Sequence, residues 1–337
     1  MGDTGKHLTY FKVENFKRFE SFEMKDLGQF NLIVGDNNVG KTSVLEALLA
    51  GSPSRIFLNR LFVSLRFRNI KENFIYKDLE FYLNKRTSSN LNSIVFRLTF
   101  GEGKVQTFRL DFNQADFSIR VKDSNDLQTM SNSLDTKVAI NLNLNTPFIP
   151  FYKGHDQDLT NFYSRLQENR SVKKSFIKSL NIIVPDLEDI ELSIPQPDSR
   201  PNLIVYQKHS DSSLPLAMFG DGTLKLFRLL AEIVLNKGER LMIDEIDTGI
   251  HFSRFKRFWN VILQSAKDND VQLFMTTHNE ECLKYFKEVI NEELPEFKND
   301  VRNITLVENA KTKVVTAHTY DFEQFEHAID VGNEIRF

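Results

Sequence analysis

The sequence predicts an α/β fold with a mixed central sheet, an N-terminal antiparallel β subdomain and an inserted stretch of helices and strands. Three observations point to it. The mostly apolar run at 30–34 leads into Gly35-Asp-Asn-Asn-Val-Gly-Lys-Thr-Ser43, a complete G-x-x-x-x-G-K-[ST] loop, and then into helix-forming residues 43–50. From Gly220 onward, short apolar strands alternate with amphipathic helices. Between these regions, residues 94–121 alternate like a β-meander.

Taken in order, residues 8–19 read as an edge strand entering a turn, with 22–27 placed to pair with it. Residues 30–34 make a buried strand and 43–50 the helix after the loop. Residues 52–85 are helix-like. They carry Arg55, Arg60, Arg66, Arg68 and Lys71, interleaved with Phe57, Phe62 and Phe67. Such a stretch could contact nucleic acid by phosphate pairing and stacking, or lie as an amphipathic helix with arginine stems over the core. The meander strands are 94–100, 105–112 and 117–121. Residues 122–136 are polar and expected as a mobile loop, 138–144 as a strand and 147–151 as a buried connection. One or two helices fill 159–184, closed by Pro185, and the proline-rich 193–201 is a loop. Helices at 223–236, 252–268 and 279–291 then alternate with strands at 240–244 and 271–276. Short strands near 301–307 and 313–318 and a helix near 321–330 end the chain. This organisation gives one discontinuous domain, with core segments 1–51 and 216–337 and an inserted lobe at 52–215.

The chain has 337 residues, 41% hydrophobic and 26% charged, which suits a globular protein. Thirty phenylalanines imply an aromatic-rich core. The single cysteine, Cys282, excludes an internal disulfide and cysteine-rich metal sites, and implies a reducing, cytoplasmic setting. No apolar run approaches the roughly 18–20 residues a membrane helix needs, and the N-terminus lacks an apolar signal core. A net charge of −3 does not advertise a nucleic-acid binder.

The loop carries the chemistry first. Gly35 and Gly40 allow the backbone of Gly35, Asp36, Asn37, Asn38, Val39, Gly40, Lys41, Thr42 and Ser43 to curl its N–H groups onto phosphates. Lys41 would meet the β- and γ-phosphates and is expected to face solvent when the loop is empty; the Thr42 hydroxyl would ligate Mg²⁺. Arg240-Leu-Met-Ile-Asp244-Glu245 is an apolar strand ending in two acids. Asp244 can hold Mg²⁺ through water, and Glu245 can polarise an attacking water. Val271-Gln-Leu-Phe-Met-Thr276-Thr277-His278 delivers a histidine to a strand's carboxyl end, either to contact the γ-phosphate or water, or as a polar residue starting a helix. Met218-Phe-Gly220-Asp221-Gly222-Thr223 opens a long helix. It reads either as an anion-binding helix N-terminus or as a plain turn capped by Asp221 or Thr223.

Together the loop, Gly220-Asp-Gly-Thr223, Asp244-Glu245 with Asp247 and His251, and Thr276-Thr-His278 resemble the ABC-type ATPase heads, the group of SMC, RecF and OLD-type proteins. The RecF/OLD-like branch (AAA15/AAA21) is most similar, as in ATPase subunits of PARIS-like and other anti-phage systems. The opening Phe11-Lys-Val-Glu-Asn-Phe-Lys-Arg-Phe19 also resembles that family's first strand, and the resemblance covers 1–50 and 216–290. It implies a slow ATPase using ATP and Mg²⁺, with catalytic Glu245, His278 and Lys41. Two copies would sandwich ATP, with Gly220, Gly222 and Thr223 closing over nucleotide bound by the partner copy. It departs at Gly220, where the family has serine, and at Ile246, where it has proline; the Q-loop glutamine has no clear counterpart. Asn236-Lys-Gly-Glu239 lacks the aspartate of a guanine-reading motif, favouring ATP over GTP. Only 59 residues follow His278, too few for a Toprim nuclease, so a separately encoded effector or toxin is the expected partner. A RecF-like DNA-repair ATPase and an OLD-like nuclease-associated ATPase are the alternatives.

Overall fold

The computed structural model describes residues 6–331 except 52, 69–72, 85–91, 116–117, 125, 142–145, 152–157, 183, 185, 195–200 and 209–212. In chain order its strands and helices are β1 (Leu8–Phe16), β2 (Phe19–Met24), β3 (Phe30–Gly35), α1 (Lys41–Ala47), α2 (Ser54–Phe67), β4 (Phe74–Ile75), β5 (Ser93–Phe100), β6 (Val105–Asn113), β7 (Ser118–Asp123), β8 (Asp126–Ser133), β9 (Lys137–Val138) and β10 (Phe148–Ile149). Then come α3 (Asp158–Gln167), α4 (Arg170–Asn181), β11 (Leu187–Ser193), β12 (Asn202–Gln207), β13 (Ser213–Pro215), α5 (Asp221–Leu235), β14 (Arg240–Ile243), α6 (Phe255–Asp268), β15 (Gln272–Thr276), α7 (Glu280–Glu292), β16 (Val301–Glu308), β17 (Val315–Tyr320) and α8 (Phe322–Asp330).

A mixed sheet, in the order β10-β14-β15-β3-β16-β17, forms the middle layer. Its first five strands are parallel and β17 runs antiparallel at the edge. The period of two sorts its side chains between two cores. Phe30, Leu32, Leu241, Ile243, Leu273 and Met275 face a helical layer containing α5, α6 and α7. Ile33, Met242 and Phe274 face α1, α2 and a second, antiparallel sheet ordered β2-β1-β5-β6-β7-β8. The phenylalanine-rich composition resolves here: Phe57 of α2 packs edge-on against Phe96 at 5.2 Å and Phe108 at 5.4 Å.

Several expectations are corrected. β1 is not an edge strand, because β2 and β5 flank it. The helical reading of 52–85 stops at Phe67: Phe74–Ile75 is a strand paired with β9, and Tyr76–Tyr82 is a 3₁₀ turn. Phe57 and Phe62 lie in the core and Phe67 packs against it, so α2 offers no stacking platform for bases; Lys71 falls outside the described residues. Residues 126–133, expected in a mobile loop, form β8 on β7. The ladder, and not apolar alternation, specifies this polar edge strand. The buried connection at 147–151 contains β10, a two-residue edge of the mixed sheet, too short for any periodicity. The expected strand at 138–144 is reduced to β9, and 142–145 lie outside the described residues. Two helices, α3 and α4, fill 159–184; Pro185 and most of 193–201 are outside the described residues. Sequence reading missed the small sheet β11-β12-β13, although Leu203 and Val205 alternate into the core; on β11 a register shift between Leu187 and Asp189 sets Leu187 and Ile190 three residues apart.

Candidate nucleotide-binding site

β3, β14 and β15 lie side by side and end at one edge of the sheet, which brings three distant sequence segments together. β3 delivers the phosphate loop. Gly35 and Gly40 have φ of 145° and 111°. A Cβ on Gly35 would lie 2.6 Å from the Leu306 carbonyl oxygen, and one on Gly40 would lie 2.7 Å from Arg18 Cδ, so the loop closes only with glycine there. Lys41 is not solvent-facing: it is 7% exposed. Its ammonium folds back to donate to the carbonyls of Gly35 at 2.7 Å and Asp36 at 3.1 Å. The loop's own carbonyl oxygens hold the charge.

Thr42 opens α1, and its hydroxyl donates to Asp244 Oδ2 at 2.9 Å. The other Asp244 oxygen accepts from Thr276 Oγ1 at 2.7 Å, and the Asp244 N–H donates to the Ile149 carbonyl of β10 at 2.8 Å. Burial pushes the Asp244 carboxyl above its usual range, while the two threonine hydrogen bonds oppose that rise. Thr42 and Asp244 are hard oxygen donors that would suit Mg²⁺. Among the described residues no cluster of three or more His, Cys, Asp or Glu stands ready to hold a metal by itself.

Glu245 follows with φ of 49°, a left-handed conformation that non-glycine residues rarely adopt. Its N–H donates to Thr276 Oγ1 at 2.8 Å, and its carbonyl accepts from Lys225 Nζ at 2.8 Å. Its carboxylate pairs with His278 Nδ1 at 2.5 Å. His278 thus meets Glu245, while the cap of α7 is the next residue, Asn279. Asp247 accepts from Thr277 Oγ1 at 2.6 Å, and His251 lies on the surface beside Phe252.

The segment 218–223 lies beside the turn that follows Glu245. Gly220 occupies the cap position of α5 with φ of 81° and open space where a side chain would be. The cap is therefore neither Asp221 nor Thr223; the Thr223 hydroxyl is buried and donates to the Phe219 carbonyl at 3.0 Å. A Cβ on Gly222 would lie 3.1 Å from the Gly249 carbonyl oxygen, so this helix start adjoins the Asp247–His251 turn. Met218 beside it is 75% exposed.

Thr276, Thr277 and Lys225 are contributions the sequence reading left without roles. The paired threonines before His278 were a usable signal. For Lys225 there was none, since a lysine on an amphipathic helix normally reads as solvated.

Over residues 30–283 the sequence matches the family described as "AAA domain, putative AbiEii toxin, Type IV TA system". The chain belongs to this AAA-domain family. It is 24% identical to an "ATP/GTP phosphatase" of Helicobacter pylori, covering 94% of this chain and 96% of that one. A 55-residue stretch is 38% identical to the DNA replication and repair protein RecF of Xanthomonas oryzae, 16% of this chain and 15% of that protein. Among solved structures, an SMC head bound to the C-winged helix domain of ScpA superposes with a TM-score of 0.54 at 13% identity, covering 94% of this chain and 99% of that one. The SMC head domain of Thermotoga maritima gives 0.50 at 12% identity, with 94% and 99% covered. The AAA-domain chain therefore has the ABC-type ATPase head fold. Among its described residues no helix is long and apolar enough to cross a membrane.

Proposed function

We propose that this chain binds ATP·Mg²⁺ at Gly35–Ser43, hydrolyses it slowly, dimerises head to head on ATP and uses that cycle to regulate a separate effector in a defence or toxin-type system. The observation behind the chemistry is the hydrogen-bonded series Thr42–Asp244–Thr276–Glu245–His278 at the edge where the loop opens. Lys41 exchanges its two loop carbonyls for phosphate oxygens. Thr42 and Asp244 would hold Mg²⁺, whose charge neutralises the phosphates. Glu245 takes the proton from the attacking water, with His278 fixing its carboxylate. The H. pylori relative's name supports hydrolysis and leaves the base open, so ATP and GTP belong side by side in the assay.

The family description supports the toxin-type setting, and the SMC head carrying a bound ScpA domain supports partner docking on such a head. Glu245→Gln tests the chemistry. The amide keeps the shape but cannot accept the proton, so ATP binding should persist while kcat falls about 10²- to 10⁴-fold. Hydrolysis at the normal rate would refute the assigned role. Purified alone, the protein should leave DNA and RNA uncut; Mg²⁺- or Mn²⁺-dependent cleavage would overturn the separate-effector reading. The RecF stretch supports one further reading, a DNA-repair ATPase. DNA-stimulated hydrolysis with a steep salt dependence would favour it.

A further inference from the structure

Lys225 lies on α5 one turn past the open helix start, yet it is 5% exposed. An ammonium is costly to bury, and an aliphatic side chain would fill the same volume without that cost. Among the described residues the hydrogen-bond partner of Lys225 is one atom: Nζ donates to the Glu245 carbonyl at 2.8 Å. Asp247, Glu245 and Asp244 supply the surrounding negative charge. Glu245, like Asn38 of the phosphate loop at φ of 65°, sits in the sparsely populated left-handed region, at φ of 49°. Its peptide groups are gripped on both sides. Thr276 Oγ1 accepts its N–H at 2.8 Å, and Lys225 holds its carbonyl. With its backbone fixed this way, the Glu245 carboxylate has a defined aim, and His278 locks the far end.

We infer that Lys225 is a positioning residue for hydrolysis: it holds the Glu245 main chain in the left-handed conformation that aims the carboxylate at the attacking water. This rests on the proposed ATPase reading. The bond also ties the base to the helix whose N-terminus is the proposed contact for the partner copy's nucleotide. The hydrogen bond of Lys225 goes to the Glu245 main chain and not to the phosphate loop, so its removal should change turnover and spare nucleotide affinity.

The test compares wild type, Lys225→Met, Lys225→Arg, Glu245→Gln and the Lys225→Met/Glu245→Gln double variant. It measures kcat and KM for ATP, a dissociation constant for a fluorescent ATP analogue, and thermal unfolding. A misaimed base costs about 10²-fold, so Lys225→Met should lose roughly 30- to 100-fold in kcat, with KM and analogue affinity within about threefold of wild type. Lys225→Arg, which restores a cationic donor, should recover about tenfold of that loss. The double variant should hydrolyse no more slowly than Glu245→Gln, because a base already removed cannot be misaimed. Wild-type kcat in Lys225→Met would overturn the inference. So would a parallel loss of analogue affinity, or a further fall in the double variant. If Lys225→Met does not fold, Lys225→Gln takes its place with the same expectation. A wild-type protein that does not hydrolyse ATP, or whose turnover survives Glu245→Gln, refutes the ATPase reading and this inference with it. Glu245-dependent turnover that is indifferent to Lys225 refutes this inference alone.

Discussion

Lys41 sits on the carbonyls of its own loop and Thr42 on Asp244, whereas Gly220 has open space around it and Met218 projects into solvent. Both regions are helix N-termini suited to anions. The first, at α1, is internally satisfied: a phosphate entering it replaces interactions the chain already makes. The second, at α5, adjoins the Asp247–His251 turn. The contrast separates a helix start whose polar groups are paired within the chain from one that is left open. That is the pattern expected if the second helix start serves nucleotide held by another copy.

The largest effect should come from the prepared side. The Glu245→Gln loss of about 10²- to 10⁴-fold in kcat breaks the contrast if it fails to appear. Lys41→Ala comes next. It removes the cation proposed to meet the phosphates and two charge-assisted hydrogen bonds within the loop, so ATP binding should vanish and unfolding stability should fall by about 1–3 kcal/mol. Calorimetric binding at wild-type affinity in the folded variant would contradict the loop assignment.

The smallest effect is a pH dependence. Burial lowers Lys225 from 10.5 to about 8. The unfolded chain keeps that proton at higher pH than the folded chain does, so between these values stability rises with pH. From its ordinary value of 9.0 upward the buried Cys282 thiol acts in the opposite direction, because burial raises its pKa. The clean window is therefore pH 8 to 9, with a gain of about 1 kcal/mol that Lys225→Met should abolish. Chemical denaturation at the two pH values would show it; equal slopes in the two proteins would contradict the assignment.

Much of this was legible in the sequence because local and global signals agreed. The run from 30 to 43 reads as strand, loop and helix, and it folds that way; from Gly220 on, every predicted strand and helix exists within a few residues. What failed lacked a local signal. β10 is two residues long, and β8 is polar because it lies at a sheet edge. The Lys41 position was misread because its loop supplies carbonyls that no sequence pattern displays. Lys225 and Thr276 acquire meaning only once β14, β15 and α5 are adjacent, since their partners lie 20 and 31 residues away.

The central claim is that the open helix start at 220–223 is completed by a second copy around ATP. Sedimentation of the Glu245→Gln protein with ATP and Mg²⁺ tests it most directly, because blocked hydrolysis should trap the assembly. Met218→Glu is a cleaner probe than Gly222→Arg, since a side chain at 222 would press on the Gly249 carbonyl within the same copy, whereas Met218 is solvent-facing. The account predicts an ATP-dependent dimer in Glu245→Gln that Met218→Glu weakens without loss of monomer ATP binding. A strict monomer in saturating ATP would contradict it.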